Sequence, residues 1–126
     1  MMPAILSVGL GGAFGALLRW WFGLMLNSVF PTIPLGTLVV NILGGFLMGI
    51  FMGLSKNHTY MPEAARLSIA TGFLGGFTTF STFSAETVTL ISYGQYFFSA
   101  AIIVGHVAGS ILATILGIYT VKMITS

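Results

Sequence analysis

Six charged side chains divide this sequence into uncharged runs at residues 20–55, 67–85 and 87–121, and the first 18 residues carry only the terminal amine. A helix needs about 20 apolar residues to cross a bilayer. By that measure the chain reads as an all-α membrane protein, a single transmembrane domain over 1–126 with spans near 4–26, 34–54, 63–91 and 97–121. Charged residues make up 5% of the chain, against about 25% in soluble domains, so there is no room for a soluble domain. The formal charge of +2 is small and scattered, which speaks against nucleic acid as a partner. Cysteine is absent, which excludes disulfides and thiolate metal sites. The start, Met1-Met2-Pro3-Ala4, lacks the basic region of a signal peptide, and the first segment is read as a mature span.

The breaks between spans have chemical causes. Pro31 and Pro34 bracket a link after Asn27 and Ser28, because proline and the residue before it resist continued helix. Ser55-Lys56-Asn57-His58-Thr59-Tyr60 is the one polar stretch, and its His58 is expected to be solvated. Pro62 and Glu63 suit the opening turn of the third helix. Ser92 to Tyr96 forms the last turn, with tyrosines at interfacial depth, and Lys122 closes the fourth helix. Four spans put both termini and the 55–62 link on one side, with Lys56, Arg66 and Lys122, while Arg19 lies towards the other. The positive-inside rule then favours cytoplasmic termini by only two residues, which reads either as insertion in both orientations or as one orientation with a weak signal.

Glycines recur four apart in every span: Gly11/Gly15, Gly45/Gly49/Gly53, Gly72/Gly76 and Gly105/Gly109. Small residues at that spacing let helix backbones approach closely in lipid, within the chain or against another chain.

The third span carries the chemistry. Gly72-Phe73-Leu74-Gly75-Gly76-Phe77-Thr78-Thr79-Phe80-Ser81-Thr82-Phe83-Ser84 sets glycines and hydroxyls at mid-membrane depth. Glycine costs a helix interior about 1 kcal/mol relative to alanine, so one reading is an interruption near 75–78. Such a break persists only where protein, water or an ion satisfies the freed backbone groups. The other reading is a continuous helix whose hydroxyls bond back one turn. Phe80 and Phe83, three apart, are expected to face the same way, beside a hydroxyl stripe of Ser81 and Ser84. Hydroxyls donate hydrogen bonds to an anion, and ring edges are partially positive. One reading is a pore lining that receives an anion without trapping it against a full counter-charge; the other is an aromatic pair that only packs.

Elsewhere, Asn41 sits mid-span with two amide donors that need partners, and Ser110 and Thr114 lie one turn apart. They read either as more of a polar track or as hydroxyls bonded to their own backbone. Arg19 and Glu86 occupy the same half of the membrane: they pair, or Arg19 snorkels while Glu86 faces water. His106 reads as an interior histidine, and two isolated histidines make no metal pattern. There is no nucleophile–base arrangement or phosphate loop, so an enzyme is not expected.

Gly12-Ala13-Phe14-Gly15-Ala16-Leu17-Leu18-Arg19, Gly36 to Asn41 and Gly75 to Glu86 together resemble the Fluc, or CrcB, fluoride channels. The resemblance covers three spans with distinctive motifs and fits the whole chain in length. It implies a passive fluoride exporter in the bacterial inner membrane, a dual-topology antiparallel homodimer with two pores along its interface. On that resemblance Phe80 and Phe83 line the pores and Asn41 donates to fluoride. Ser81, Thr82, Ser84 and Thr114 form a polar track, and Thr37 and Ser110 stand near an aqueous vestibule. A structural sodium ion is implied on the symmetry axis, held by backbone carbonyls of Gly75 and Thr78.

Two other readings compete. A small multidrug-type, proton-coupled transporter has similar size and topology but uses a first-span carboxylate, where this chain has Arg19. A non-transporting assembly subunit would move no ion when purified alone.

Overall fold

The computed structural model describes residues 1–57 and 61–125, with side chains at all of these except 56 and 57. The expected link residues His58, Thr59 and Tyr60 therefore lie outside the described residues. Among the described residues all regular structure is helical. Helix α1 is Met2–Leu26 and α2 is Leu35–Asn57. Next, α3, Glu63–Arg66, runs without a gap into a π-helical stretch, Leu67–Leu74, and then α4, Gly75–Phe77. After Thr78, Thr79 and Phe80 the chain resumes as α5, Ser81–Ser92, and finishes in α6, Tyr96–Thr125. Among the described residues three helices, Met2–Leu26, Leu35–Ser55 and Tyr96–Thr125, are long and apolar enough to cross a membrane. The expected third span is one long bent helix over 63–92.

Helix α2 runs past its expected end into Ser55-Lys56-Asn57, because none of these residues is a strong breaker and proline first returns at position 62. The link from α1 to α2 is tied by one side chain. Asn27 Oδ1 accepts the Thr37 N–H at 3.2 Å, which satisfies an orphan amide at the start of α2. Between α5 and α6, Gly94 adopts φ +73°, and the Gln95 N–H reaches Leu90 O at 2.8 Å, a helix stop of the kind glycine provides most readily.

The helices pack as two close pairs. Helix α1 lies along the π-helical stretch and α4, while α2 lies along α6. Gly15 faces the Phe73 carbonyl and Gly76 the backbone of Gly12, so a methyl group at either would strike backbone. Gly49 and Gly117 do the same between α2 and α6. This corrects the reading of the fourth span. Gly105 and Gly109 face side chains of Leu38 and Ile42, and the backbone approach on α6 runs through Gly117.

Buried apolar residues are few. Phe83, Leu90 and Ile102 form a cluster with Ile33 and Phe98 against it. The outer surface keeps Leu10, Leu17, Trp20, Leu112 and Leu116 exposed. Such a surface suits hydrocarbon or another helix better than water.

Candidate functional site

The bent third span breaks at Thr78–Phe80, where Thr78 is extended at φ −87°, ψ 160°. The neighbouring threonine explains why. The Thr79 N–H donates to Asn41 Oδ1 at 2.8 Å, and Asn41 Nδ2 donates back to Thr79 O at 2.8 Å. A side-chain amide on α2 thus replaces the helix as partner to one residue's backbone. In an unbroken helix the Thr79 N–H would close on Gly75 O, so that carbonyl loses its donor. The Thr82 N–H donates to Thr79 Oγ1 at 3.2 Å, a hydroxyl cap on the start of α5, and this frees the Thr78 carbonyl in the same way. The Gly76 carbonyl is taken by Arg19 Nε at 2.9 Å.

The interruption was expected near 75–78 and lies slightly later. Gly75 and Gly76 stay helical, Gly76 being seated against Gly12. What opens the ladder is a competing partner, and Asn41 reaches Thr79. The freed Gly75 and Thr78 carbonyls are hard oxygen donors of the kind that replace a cation's hydration shell. No group of three or more His, Cys, Asp or Glu with metal-binding potential occurs among the described residues.

Beside the break lies a groove of about 450 Å³, whose walls include Asn41, Gly75, Thr78, Phe80, Phe83, Ser110 and Thr114. It brings together seven of the residues that the resemblance assigns to the pore and the sodium ion. The two phenylalanines are in edge contact, centroids 5.5 Å apart at 66°, and both line this groove, though they are covered to different degrees. Phe80 is 76% exposed and Phe83 only 7%. Phe80 is the N-cap of α5 in a helical conformation, and its carbonyl accepts the Ser84 N–H at 2.9 Å, so helical spacing carries through the pair. Phe83 turns inward onto His106, with ring centroids 4.5 Å apart.

The remaining hydroxyls fall in different places. Thr114 Oγ1 points at the Gly45 and Ser110 carbonyls, at 2.8 and 2.9 Å, and Ser110 Oγ at Val107 O at 3.4 Å. Both hydroxyls meet backbone carbonyls, Thr114 reaching across to α2 as well, and both residues line the groove. Thr37 and Thr82 line a second cavity of about 290 Å³, with Arg19, Asn27 and Thr79. Thr79 is common to both cavities. Ser81 is exposed, 3.4 Å from Thr79 Oγ1, and Ser84 is half-buried on α5.

Arg19 and Glu86 find separate partners instead of each other. Arg19 holds Gly76 O, and Thr37 Oγ1 donates to Glu86 Oε2 at 2.6 Å. The other carboxylate oxygen, Oε1, is buried without a partner.

Sequence reasoning missed Thr79 and underrated His106 and Asn27. Thr79 looks identical to Thr78 in a run of hydroxyls. His106 gains its meaning only from Asn41 Nδ2, 2.8 Å from its Nδ1.

The family described as CrcB-like protein, Camphor Resistance (CrcB), matches residues 6–118. The chain belongs to this family. The matched region of this CrcB-family chain contains the break, both cavities and their linings. A protein of Nitrosospira multiformis named fluoride-specific ion channel FluC is 56% identical over 119 residues, covering 94% of this chain and 93% of the relative. Proteins of the same name from Thiobacillus denitrificans and Tolumonas auensis are 48% and 45% identical. The former alignment covers 98% of this chain and 99% of the relative, the latter 98% of each.

Proposed function

We propose that this chain is a passive, fluoride-selective channel of the bacterial inner membrane, and not an enzyme. It works as an antiparallel, dual-topology homodimer with two pores along the interface. The observation that carries this reading is the mid-span break clamped by Asn41 and flanked by a groove with Phe80, Phe83 and hydroxyls in its wall. Such a lining offers an anion hydrogen-bond donors and ring edges without a cation to hold it fast. The high identity to proteins named for fluoride conduction supports the choice of ion.

The open groove and the 76% exposure of Phe80 favour a second copy as the missing wall. Ser81, Thr82, Ser84 and Thr114 supply the polar track beyond the aromatics, with Thr37 and Ser110 nearer water. The Gly75 and Thr78 carbonyls, released from the helical ladder, would hold the structural sodium ion from both chains. That ion supplies fixed positive charge where two broken helices meet.

The test is passive efflux from liposomes carrying this protein alone, with fluoride and chloride measured in parallel. Fluoride release without chloride release is the expected result. Well-assembled dimer that releases neither ion overturns the proposal.

A further inference from the structure

We infer that His106 is the resting acceptor for the Asn41 N–H that an anion takes on its way through, a positioning role that rests on the channel reading. The amide's orientation is settled by Thr79. Oδ1 faces a backbone N–H, which can only donate, and Nδ2 faces a backbone carbonyl, which can only accept. The atom presented to His106 Nδ1 at 2.8 Å is therefore an amide nitrogen. Nδ1 must offer a lone pair, so the imidazole is neutral and carries its proton on Nε2.

Both Asn41 amide hydrogens are thereby engaged, and an anion reaching the groove finds no idle donor there. The two bonds differ in what their loss entails. The bond to Thr79 is half of a reciprocal pair that holds the break, and giving it up strands a backbone carbonyl. The bond to His106 ends on a neutral ring nitrogen, so this is the N–H that is exchanged. The ring cannot swing freely: His106 is 4% exposed and lies on Phe83 at 4.5 Å, with 33° between the ring planes. The acceptor keeps the amide satisfied between ions and weakens anion binding by one competing hydrogen bond. Moderate binding of this kind is what passage through a pore requires.

Fluoride efflux rate against fluoride concentration, in liposomes carrying the full dimeric protein, separates binding from throughput. His106→Leu removes the acceptor and leaves an idle donor. The half-saturating concentration should fall about fivefold, the net worth of one neutral hydrogen bond, with a lower maximal rate. His106→Gln keeps an acceptor and should stay within about twofold of wild type. An unchanged half-saturation in His106→Leu, or the same shift in both variants, overturns the inference.

Should His106→Leu fail to assemble, nitrogen-15 spectra of the imidazole decide. In a His58→Asn background, which leaves one histidine, the Nε2–H form should dominate and give way when Asn41→Ala is added. Identical spectra overturn the inference. A wild-type protein that passes no fluoride defeats the channel reading alone, and the spectra still report whether His106 holds Asn41.

Discussion

Asn41→Asp changes hydrogen bonding at the break while leaving side-chain volume almost untouched. One carboxylate oxygen keeps the Thr79 N–H. The other replaces a nitrogen that served Thr79 O and His106 Nδ1, each at 2.8 Å. His106 can answer by moving its proton to Nδ1, but the Thr79 carbonyl cannot. One half-buried carbonyl is left unsatisfied, at a stability cost of about 1–3 kcal/mol at most. The effect on a passing anion is larger. At about 4 Å and an effective dielectric of about 20, two like charges repel by about 4 kcal/mol, roughly a thousandfold in rate. Flux should therefore fall much further than stability.

Fluoride efflux from liposomes, with thermal unfolding and size-exclusion profiles on the same preparation, separates the two effects. A protonated carboxyl would restore the bond to Thr79 O and remove the charge, so the flux loss should deepen as pH rises through this group's titration. Infrared spectroscopy of the carboxylate reports its ionisation. Efflux within tenfold of wild type from an assembled dimer with an ionised carboxylate would refute the reasoning.

Phe80→Ile and Phe83→Ile should both lower fluoride efflux, with different side effects. Phe83 is 7% exposed within the chain, so its loss should also cost about 1–3 kcal/mol of stability, whereas Phe80, 76% exposed and facing the proposed partner copy, should tell first on dimer assembly. Wild-type flux in either assembled variant would remove that ring from the pore. Gly49→Ala would press a methyl group into the Thr114 carbonyl and force α2 from α6, lowering stability by about 1–3 kcal/mol. Gly9→Ala, with nothing within 4 Å, is the control, and equal thermal unfolding of the two variants would show that close α2–α6 approach is not needed.

The helical character of the long apolar runs and the presence of tight helix pairs were legible along the chain. Hydrocarbon leaves an uncharged run little choice but helix, and Gly15, Gly49 and Gly76 announce close approach by spacing alone. The glycine at the α6 contact was not, because Gly105, Gly109 and Gly117 all lie on one long apolar helix and only the partner α2 selects among them. The region of the break was legible too, since glycine and threonine weaken a helix wherever they cluster. Its position was not. Thr78 and Thr79 are chemically the same, and the one whose N–H leaves the ladder is the one reached by Asn41, 38 positions away. The same contact frees the Gly75 carbonyl, and packing of α5 against α6 covers Phe83 with His106 while Phe80 stays exposed. Composition and spacing set what each segment must do in lipid, since that depends on its own residues. Which polar group meets which is decided between segments, because each donor takes the acceptor that packing brings within reach.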